Sequence, residues 1–454
     1  MTAQSPPIVA LQAPKDVSIS EIEAELRQIW QSYGSAGDGG GVPSAVRATT
    51  FTLVIYEPEE TQQLLAALGY YSGPIDGIVG PRTFAAIKAA QKVYGLPRTG
   101  KADEQTKARL REEFAERFQH GRAGNSDQLQ YSPDLEGAGL ADAIAAANPC
   151  RIIALCPIAD EDRGVTAQVY ASCPIQKHSQ STLVCCEYIT LTGTATALER
   201  IGGLISELMI GDLPKFIWWK GKPDPDYGLF QRLAEMSNSI IVDSSVFRNA
   251  ETALLQIYKF MTQGAPMADL NWRRLAPWQE LTAEAFDPPE RRAALVEVDR
   301  VTIDYEKGNA AQPLMFLGWL ASRLKWHPVS YHKESGDYDI MKVHLIAPNQ
   351  RSIEVELAGV PVADVGDVVG DLISLRLGST NMEADCCTVL CSETTGCMRM
   401  EAHGGAQACR IQQVSPLFDQ KTEHLLSQQL QRWGRDMLYQ ESMTVTAQIL
   451  KLAN

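Results

Sequence analysis

Short apolar runs that alternate with amphipathic helical segments fill the middle of the chain. Five of these runs are typical of β-strands: Arg151–Cys156, Val165–Tyr170, Leu183–Thr190, Phe216–Trp219 and Ser239–Val242. After the third, fourth and fifth runs, helices are predicted from Thr194 through Leu208, over 226–237 and over 246–263. Strands that alternate with helices predict a mainly parallel sheet that is covered on both faces. We therefore expect an α/β domain over residues 141–290.

The last third of the chain has a different pattern. Ala311–Lys325 is predicted to form a helix, because its large apolar residues recur at helical spacing. Several strand-like segments then follow one another directly: Met341–Ala347, Ser352–Leu357, Asp371–Gly378, Cys386–Cys391 and Gly396–Met400. Glu423–Tyr439 is predicted to be a closing helix. Together these elements predict an α+β domain with an antiparallel sheet over residues 291–454.

The N-terminal third is predicted to be built from smaller pieces. Residues 1–57 read as a helix, a glycine-rich flexible linker and a short strand-like run at Phe51–Tyr56. Residues 58–119 contain an internal repeat, and residues 120–140 are a second polar linker. In the repeat, a glycine turn, a threonine helix cap and an amphipathic helix recur at the same spacings: Asp76-Gly77, Thr83 and Ile87, then Thr99-Gly100, Thr106 and Leu110.

This repeat closely resembles the three-helix module of peptidoglycan-binding-like domains. Its first unit also carries Gly69-Tyr70-Tyr71 and Gly80-Pro81, which belong to the same pattern. The resemblance implies the fold of the module and does not imply its ligand. We expect a docking or spacer role, with a purely structural appendage as the alternative.

Composition and charge narrow the classes of function. The chain is 45% hydrophobic and 21% charged, with a formal net charge of −14. This acidic balance disfavours a general nucleic-acid-binding surface and an anionic membrane surface as partners. No apolar run approaches the ~18 residues that span a bilayer, and residues 1–20 lack the apolar core of a secretory signal. We expect a cytoplasmic protein.

The sequence lacks the common catalytic signatures. It contains no G-x-G-x-x-G after the first α/β strand, no G-x-S-x-G elbow, no H-E-x-x-H helix and no complete phosphate-binding loop. We therefore expect no catalytic residues, no metal and no cofactor. The alternative is an enzyme that binds a nucleotide or a sugar phosphate at the carboxyl ends of the parallel strands.

Ten cysteines fall into two groups, five between residues 150 and 186 and five between residues 386 and 409. Five residues that include Thr395-Gly396 separate Cys391 from Cys397, and a turn there could bring the two within disulfide distance. A zinc site completed by His403 or Cys409 is a weaker alternative. Inert buried thiols remain the other interpretation.

Two tryptophan-rich segments are candidates for a partner interface. One consists of Trp218, Trp219 and Lys220 at the end of a predicted strand, and the other contains Trp272, Arg273 and Arg274. Tryptophan with arginine is the composition of interface hot spots. The alternative, left open by composition, is that the rings pack in the core and the arginines cover them.

The same segments resemble motifs of the OpcA family. The similarity rests on four segments: Asn148–Ile153, Pro214–Gly221, Asp269–Trp278 and Leu317–Trp326. The resemblance implies a non-enzymatic protein that assembles and allosterically activates glucose-6-phosphate dehydrogenase in the oxidative pentose phosphate pathway. With the module ahead of it and the cysteines, the chain resembles the cyanobacterial form, which implies thioredoxin as a second partner. The expected redox pair is Cys391 and Cys397.

Overall fold

The computed structural model describes most of the chain as two compact units. The described residues are 8–11, 13–34, 44–47, 49–71, 81–119, 144, 148–159, 161–174, 182–247, 249–287, 289–334, 338–361, 368, 370–381, 386–392, 397–403, 411–416, 422–432 and 434–453. Unit 1 comprises residues 1–242 and 426–433, and unit 2 comprises residues 243–425 and 434–454.

Unit 1 contains both strands and helices, as the sequence predicts, but several strands follow one another directly in the element order. In chain order they are β1 (Ile8–Ala10), β2 (Lys15–Val17), α1 (Ile22–Gly34), β3 (Ser44–Arg47), β4 (Thr52–Tyr56), α2 (Glu60–Ala67), α3 (Pro81–Val93), α4 (Glu104–Gln119), β5 (Arg151–Pro157), β6 (Thr166–Pro174), β7 (Thr182–Gly193), α5 (Ala195–Arg200), α6 (Gly202–Leu208), β8 (Lys215–Trp219), α7 (Gly228–Met236) and β9 (Ser239–Val242).

The strands of unit 1 form a sheet in the order β1-β6-β7-β5-β4-β8-β9, with β2 also beside β6 and β3 beside β7. Within this sheet, the adjacent strands β7, β5, β4, β8 and β9 are parallel to one another, whereas β6 pairs antiparallel with β7. The mainly parallel α/β sheet is therefore confirmed. Strand β4 lies between β5 and β8, and all five of its residues are buried.

The position of β4 differs from the expected division of the chain. Residues 1–57 were expected to stand apart from an α/β domain that begins at residue 141, yet β4 is an inner strand of that domain's sheet. Apolar content alone predicts a strand, but it does not specify which neighbours the strand pairs with. Because β4 and β5 are adjacent, the helical module lies in the connection between two neighbouring strands.

Helices α2, α3 and α4 form the predicted three-helix module. They share a buried cluster that includes Leu64, Leu65, Ile87 and Leu110. The predicted threonine caps need correction, because Asp103 is the residue that accepts hydrogen bonds from Thr106 N and Oγ1, at 2.8 and 2.6 Å. Thr106 is itself buried and accepts a hydrogen bond from the side chain of Gln91.

Unit 2 has the predicted α+β composition. Its elements are α8 (Ala250–Thr262), β10 (Met267–Asp269), α9 (Leu270–Arg274), α10 (Ala276–Ala285), α11 (Pro289–Arg292), β11 (Arg300–Glu306), α12 (Ala311–Leu324), β12 (His327–Glu334), β13 (Asp339–Ile346), β14 (Ser352–Val360), β15 (Leu372–Gly378), β16 (Cys386–Ser392), β17 (Cys397–His403), β18 (Ile411–Pro416), α13 (Thr422–Leu430), which ends in unit 1, and α14 (Met437–Leu450).

The sheet of unit 2 has the order β12-β13-β14-β11-β15-β16-β17-β18. Neighbouring strands are antiparallel except for the parallel pair β11 and β14. Helix α12 is buried from Ala311 to Ala321 and packs closely on α14. A Cβ at Gly318 would lie within 2.5 Å of the Ser442 carbonyl oxygen, so only glycine fits this crossing.

Two expectations about unit 2 are corrected. The predicted closing helix Glu423–Tyr439 is two helices, α13 and α14, because the Asp436 carboxylate accepts a hydrogen bond from Tyr439 N and starts a new helix. The boundary expected at residue 290 differs from the division at Val242 and Asp243. Residues 243–290 belong with unit 2, where Asn271 accepts a hydrogen bond from Gln312 of α12 and the carbonyl oxygen of Ser244 accepts one from Asn309.

Candidate functional site

The first predicted interface segment lies at the carboxyl ends of the parallel strands. Lys220 follows β8, and its Nζ lies 2.7 and 2.8 Å from the two carboxylate oxygens of Glu57, which follows β4. The same ammonium group stands 4.4 Å from the centre of the Trp218 ring. The positive charge of Lys220 is thus already balanced by a carboxylate of its own unit.

The two tryptophans of this segment are core residues. Trp219 stacks on Tyr56 with 3.8 Å between ring centroids, and it meets Phe230 edge to face at 4.9 Å. Trp218 and Trp219 are only 3% and 2% exposed. Their burial supports the core interpretation that composition left open.

This edge of the sheet is poorly suited to an anionic ligand or to thiol chemistry. An α/β sheet usually binds ligands beyond the carboxyl ends of its strands. Here the Lys220 cation is paired with Glu57, so a phosphate would have to displace a bound carboxylate. Burial, followed by the charge of Glu57, raises the pKa of the nearby Cys156 thiol to about 12. A thiol with so high a pKa remains protonated and is a poor nucleophile.

The second predicted segment forms the centre of a buried polar cluster in unit 2. The guanidinium of Arg274, at the end of α9, donates two hydrogen bonds to the carboxylate of Asp243, at 2.8 and 2.9 Å. Arg274 is 2% exposed and Asp243 is 7% exposed. Burial is the largest single influence and would raise the pKa of Asp243, but the charge of Arg274 together with the hydrogen bonds from Arg274 and Ser245 lowers that pKa.

Amides complete the cluster and connect it to the helical core. Asn309 donates from Nδ2 to the carbonyl oxygens of Ser244, Ser245 and Phe247, at 2.8 to 3.1 Å. Gln312 of α12 donates to Asn271 Oδ1 at 2.9 Å. The cluster therefore joins the turn after β9, helix α9 and helix α12.

Asp269 is the unusual carboxylate of the cluster. It accepts hydrogen bonds from the backbone N–H groups of Ser244 and Asn271, at 3.0 and 2.9 Å, and so caps α9. Burial, and then the nearby charge of Asp243, raises the pKa of Asp269 to about 6. The pKa values of Asp243 and Asp269 are shifted in opposite directions because Arg274 contacts only Asp243 directly.

The remaining residues of the predicted interface differ in their burial. Trp272 is 5% exposed, donates from Nε1 to Asp436 at 3.1 Å and packs against Tyr439. Arg273 and Lys220 are half-buried. A docking role for the six residues remains a prediction, and burial confines direct contact to Arg273 and Lys220.

The sequence did not indicate the disulfide that the structure contains. Cys173 of β6 is bonded to Cys185 of β7, and both are fully buried beside Leu11 and Trp30. Ser172 lies opposite Cys186 in this antiparallel pair. The next residue of β6, Cys173, therefore lies opposite the preceding residue of β7, Cys185. The signal available in the sequence was the predicted succession of two strands with a cysteine near the facing end of each.

The predicted pair Cys391 and Cys397 lies at the facing ends of β16 and β17. The backbone register places Cys391 opposite Met398 and Cys397 opposite Ser392. The side chains of both cysteines lie outside the described residues, as do residues 393–396. Their disulfide remains a prediction.

Among the residues that the structure describes, no group of three or more His, Cys, Asp or Glu side chains could hold a metal ion. In the same part of the chain, no helix is long and apolar enough to cross a membrane.

Comparison with known proteins identifies the class of protein. Residues 141–259 match the glucose-6-phosphate dehydrogenase subunit N-terminal domain, and residues 265–443 match the C-terminal domain of the same subunit. Residues 57–110 match a peptidoglycan binding domain. The chain thus combines both dehydrogenase-subunit domains with the helical module.

Three cyanobacterial relatives extend this similarity over the whole chain. Proteins described as OxPP cycle protein OpcA from Nostoc punctiforme, Synechocystis sp. and Synechococcus elongatus are 64, 60 and 51% identical to it. The matches cover 100, 100 and 98% of this chain, and 97, 95 and 98% of the relatives. The chain belongs to the OpcA family, and the resemblance found in its motifs is confirmed.

Solved structures resemble this chain only weakly. A mutant 3-ketoreductase from Actinomadura kijaniata aligns at 10% identity with a TM-score of 0.36, over 54% of this chain and 78% of the reductase. A likeness this weak carries no argument about activity.

Arg274→Ala tests whether the second segment is core or interface. The change removes one partner of a buried ion pair and leaves Asp243 unpaired, which typically costs about 3–5 kcal/mol. We expect a large fall in the thermal unfolding midpoint of unit 2, measured by calorimetry. Arg273→Ala, at the half-buried neighbour, should change stability by less than about 1 kcal/mol. Equal and small effects of both changes would contradict a core role for Arg274.

Asp269→Asn tests the raised pKa. Between the ordinary pKa near 3.8 and the folded value of about 6, the folded chain binds the proton more tightly, so native stability falls as pH rises through this window. A shift of this size corresponds to at most about 3 kcal/mol. The native protein should therefore lose stability relative to the variant between pH 4 and pH 6.5, as followed by urea unfolding. A difference in stability between the native protein and Asp269→Asn that stays constant across this pH range would refute the assignment.

Proposed function

We propose that this chain is a non-enzymatic assembly factor and allosteric activator of glucose-6-phosphate dehydrogenase that acts in the cytoplasm. The observation that carries the proposal is the match of residues 141–259 and 265–443 to the two domains of a glucose-6-phosphate dehydrogenase subunit. The relatives named for the OxPP cycle support the same pathway. The charge balance of Lys220 with Glu57 disfavours the alternative of a phosphate-binding enzyme.

Activation requires a difference in binding free energy. A protein that binds the active and the less active state of the dehydrogenase equally well does not shift the equilibrium between them. The coupling free energy of allosteric systems is typically about 1–3 kcal/mol, which corresponds to a change of about 5- to 150-fold in affinity. The buried network of unit 2 supports such a role, because it offers a fixed scaffold for a partner surface.

We further propose that Cys391 and Cys397 form a thiol switch that exchanges with thioredoxin. Oxidation would join the two sulfurs and pass two electrons and two protons to a thioredoxin disulfide, and reduction would reverse the exchange. In the backbone register the two cysteines are offset by one position, each opposite the neighbour of the other. This offset places the two positions on opposite faces of the hairpin, so a disulfide between them requires the strand register to shift by one position at the end of the hairpin.

Titration of purified dehydrogenase with this protein tests the activator role. Because coupling stabilises the active state, the substrate KM of the dehydrogenase should fall or its kcat should rise, by about fivefold or more. Steady-state kinetics at increasing molar ratios provide the measurement, with heat-unfolded protein as the control. Unchanged kinetics at saturating ratios, with both oxidised and reduced protein, would refute the proposal.

Cys391→Ser and Cys397→Ser test the switch. Each substitution removes one sulfur of the pair, so activation of the dehydrogenase should no longer depend on prior treatment with reduced thioredoxin. In the native protein we expect the oxidised form to activate better. The matched control is Cys156→Ser, at a thiol outside the disulfide, which should keep the full redox response. A response that survives in both hairpin variants and is lost in Cys173→Ser would transfer the switch to the disulfide of unit 1.

A further inference from the structure

Helix α3 and the turn after it carry a cluster of exposed positive charges. Residues 81–102 contain no Asp or Glu, in a chain whose net charge is −14. Four cations of this segment are exposed and have no ion-pair partner among the residues that the structure describes: Arg82, Lys88, Lys92 and Arg98. Unbalanced cations on one helix of an acidic protein indicate attraction to an acidic surface.

The other described cations of the module are arranged differently. Each of them contacts a carboxylate: Lys101 with Glu161, Lys107 with Glu104, Arg109 with Glu112 and Arg111 with Glu60. The unbalanced charge is therefore confined to the surface formed by Arg82, Phe84, Lys88, Lys92 and Arg98, which we call the basic face.

The basic face also has an apolar component. Phe84 is 42% exposed, and Val93 at the end of the same helix is 65% exposed. The exposed positions between them include Ala85 and Ala89, whose small side chains let a partner approach the helix closely. Aromatic and cationic side chains side by side are typical of protein interfaces.

Two side chains of the basic face pack over the turn that follows α3. Phe84 and Lys88 lie over Gly100, where a Cβ would stand 2.8 Å from Phe84 Cδ1 and 3.0 Å from Lys88 Cε. The buried amide of Gln91 fixes this turn by accepting from Gly100 N at 2.9 Å and donating to the Lys101 carbonyl at 3.0 Å. These contacts restrict Phe84, Lys88 and the turn before a partner binds, which lowers the entropic cost for this part of the face.

The module is also fixed to the sheet of unit 1. Glu59 precedes α2, is 2% exposed and accepts from Gln62 N at 2.6 Å and from Ala159 N, just beyond β5, at 3.2 Å. Burial, the largest influence, raises the pKa of Glu59. A partner held at the basic face is therefore held at a defined position relative to the sheet.

We propose that the basic face docks a carboxylate-rich protein surface with an apolar recess for Phe84. Resting on the proposed function, this surface belongs to the dehydrogenase. A protein partner is favoured over a nucleic acid. The net charge of −14 repels a nucleic acid, which is negatively charged along its whole length, whereas the carboxylates of a small acidic patch on a protein would contact the basic face alone.

The test is the affinity of the full-length chain for purified dehydrogenase, measured by calorimetry at several salt concentrations. The double substitution Lys88→Glu with Lys92→Glu reverses two exposed charges and touches no core residue. We expect it to weaken binding by about tenfold or more at low salt, and less at high salt, where surface charges are screened. Phe84→Ser should weaken binding to a similar extent, with little dependence on salt.

The matched control is Lys259→Glu with Arg432→Glu, which changes the net charge equally at exposed positions outside the module. It should bind like the native chain. If the native chain binds and both double variants bind equally well, the docking surface is wrong and the proposed function stands. If the native chain itself does not bind the dehydrogenase, both fail. Binding of double-stranded DNA or of peptidoglycan fragments that the Lys88/Lys92 change abolishes would also overturn the assignment to a protein partner.

Discussion

The central position of β4 constrains the whole of unit 1. This five-residue strand bonds to β5 on one side and to β8 on the other, and none of its residues reaches solvent. Its two neighbours come from distant parts of the sequence, so the chain must leave the sheet after β4, build the helical module and return beside the strand it left. The module is consequently an insertion between adjacent strands and is not a tethered appendage.

Unit 2 depends in a comparable way on a buried ion pair. Arg274 and Asp243 leave water together, which costs free energy that only good geometry and further hydrogen bonds can offset. Ser245 donates two hydrogen bonds to Asp243, from its N–H and its hydroxyl, and the guanidinium donates one to Thr422. The amide of Gln312 donates to Asn271 and fixes where α9 meets α12. Such a network contributes more to a unique arrangement than to net stability, and it explains why the family motif around Arg274 is rich in polar residues that do not face solvent.

Burial also separates the thiols by reactivity. Cys173 and Cys185 are already bonded and covered by Leu11 and Trp30, so a reductant reaches them only if the N-terminal segment moves. Burial raises the pKa of Cys156, and that of Cys150, which is hydrogen-bonded to Cys186. Protonated, enclosed thiols exchange slowly.

The sequence by itself determined the classes of element and most of their order. Periodicity indicated the parallel strands around Phe216–Trp219, the buried helix at Ala311–Lys325 and the repeat of the helical module, because each rests on local spacing of apolar residues. Its motifs also identified the family, since they are runs of adjacent residues. Only the tertiary structure decided that β4 lies inside the sheet, that Cys173 pairs with Cys185, and that Trp218, Trp219, Trp272 and Arg274 are core residues. Each of these outcomes depends on which distant segments come together, and a tryptophan beside an arginine has the same local pattern whether its neighbours are a partner protein or the rest of its own chain.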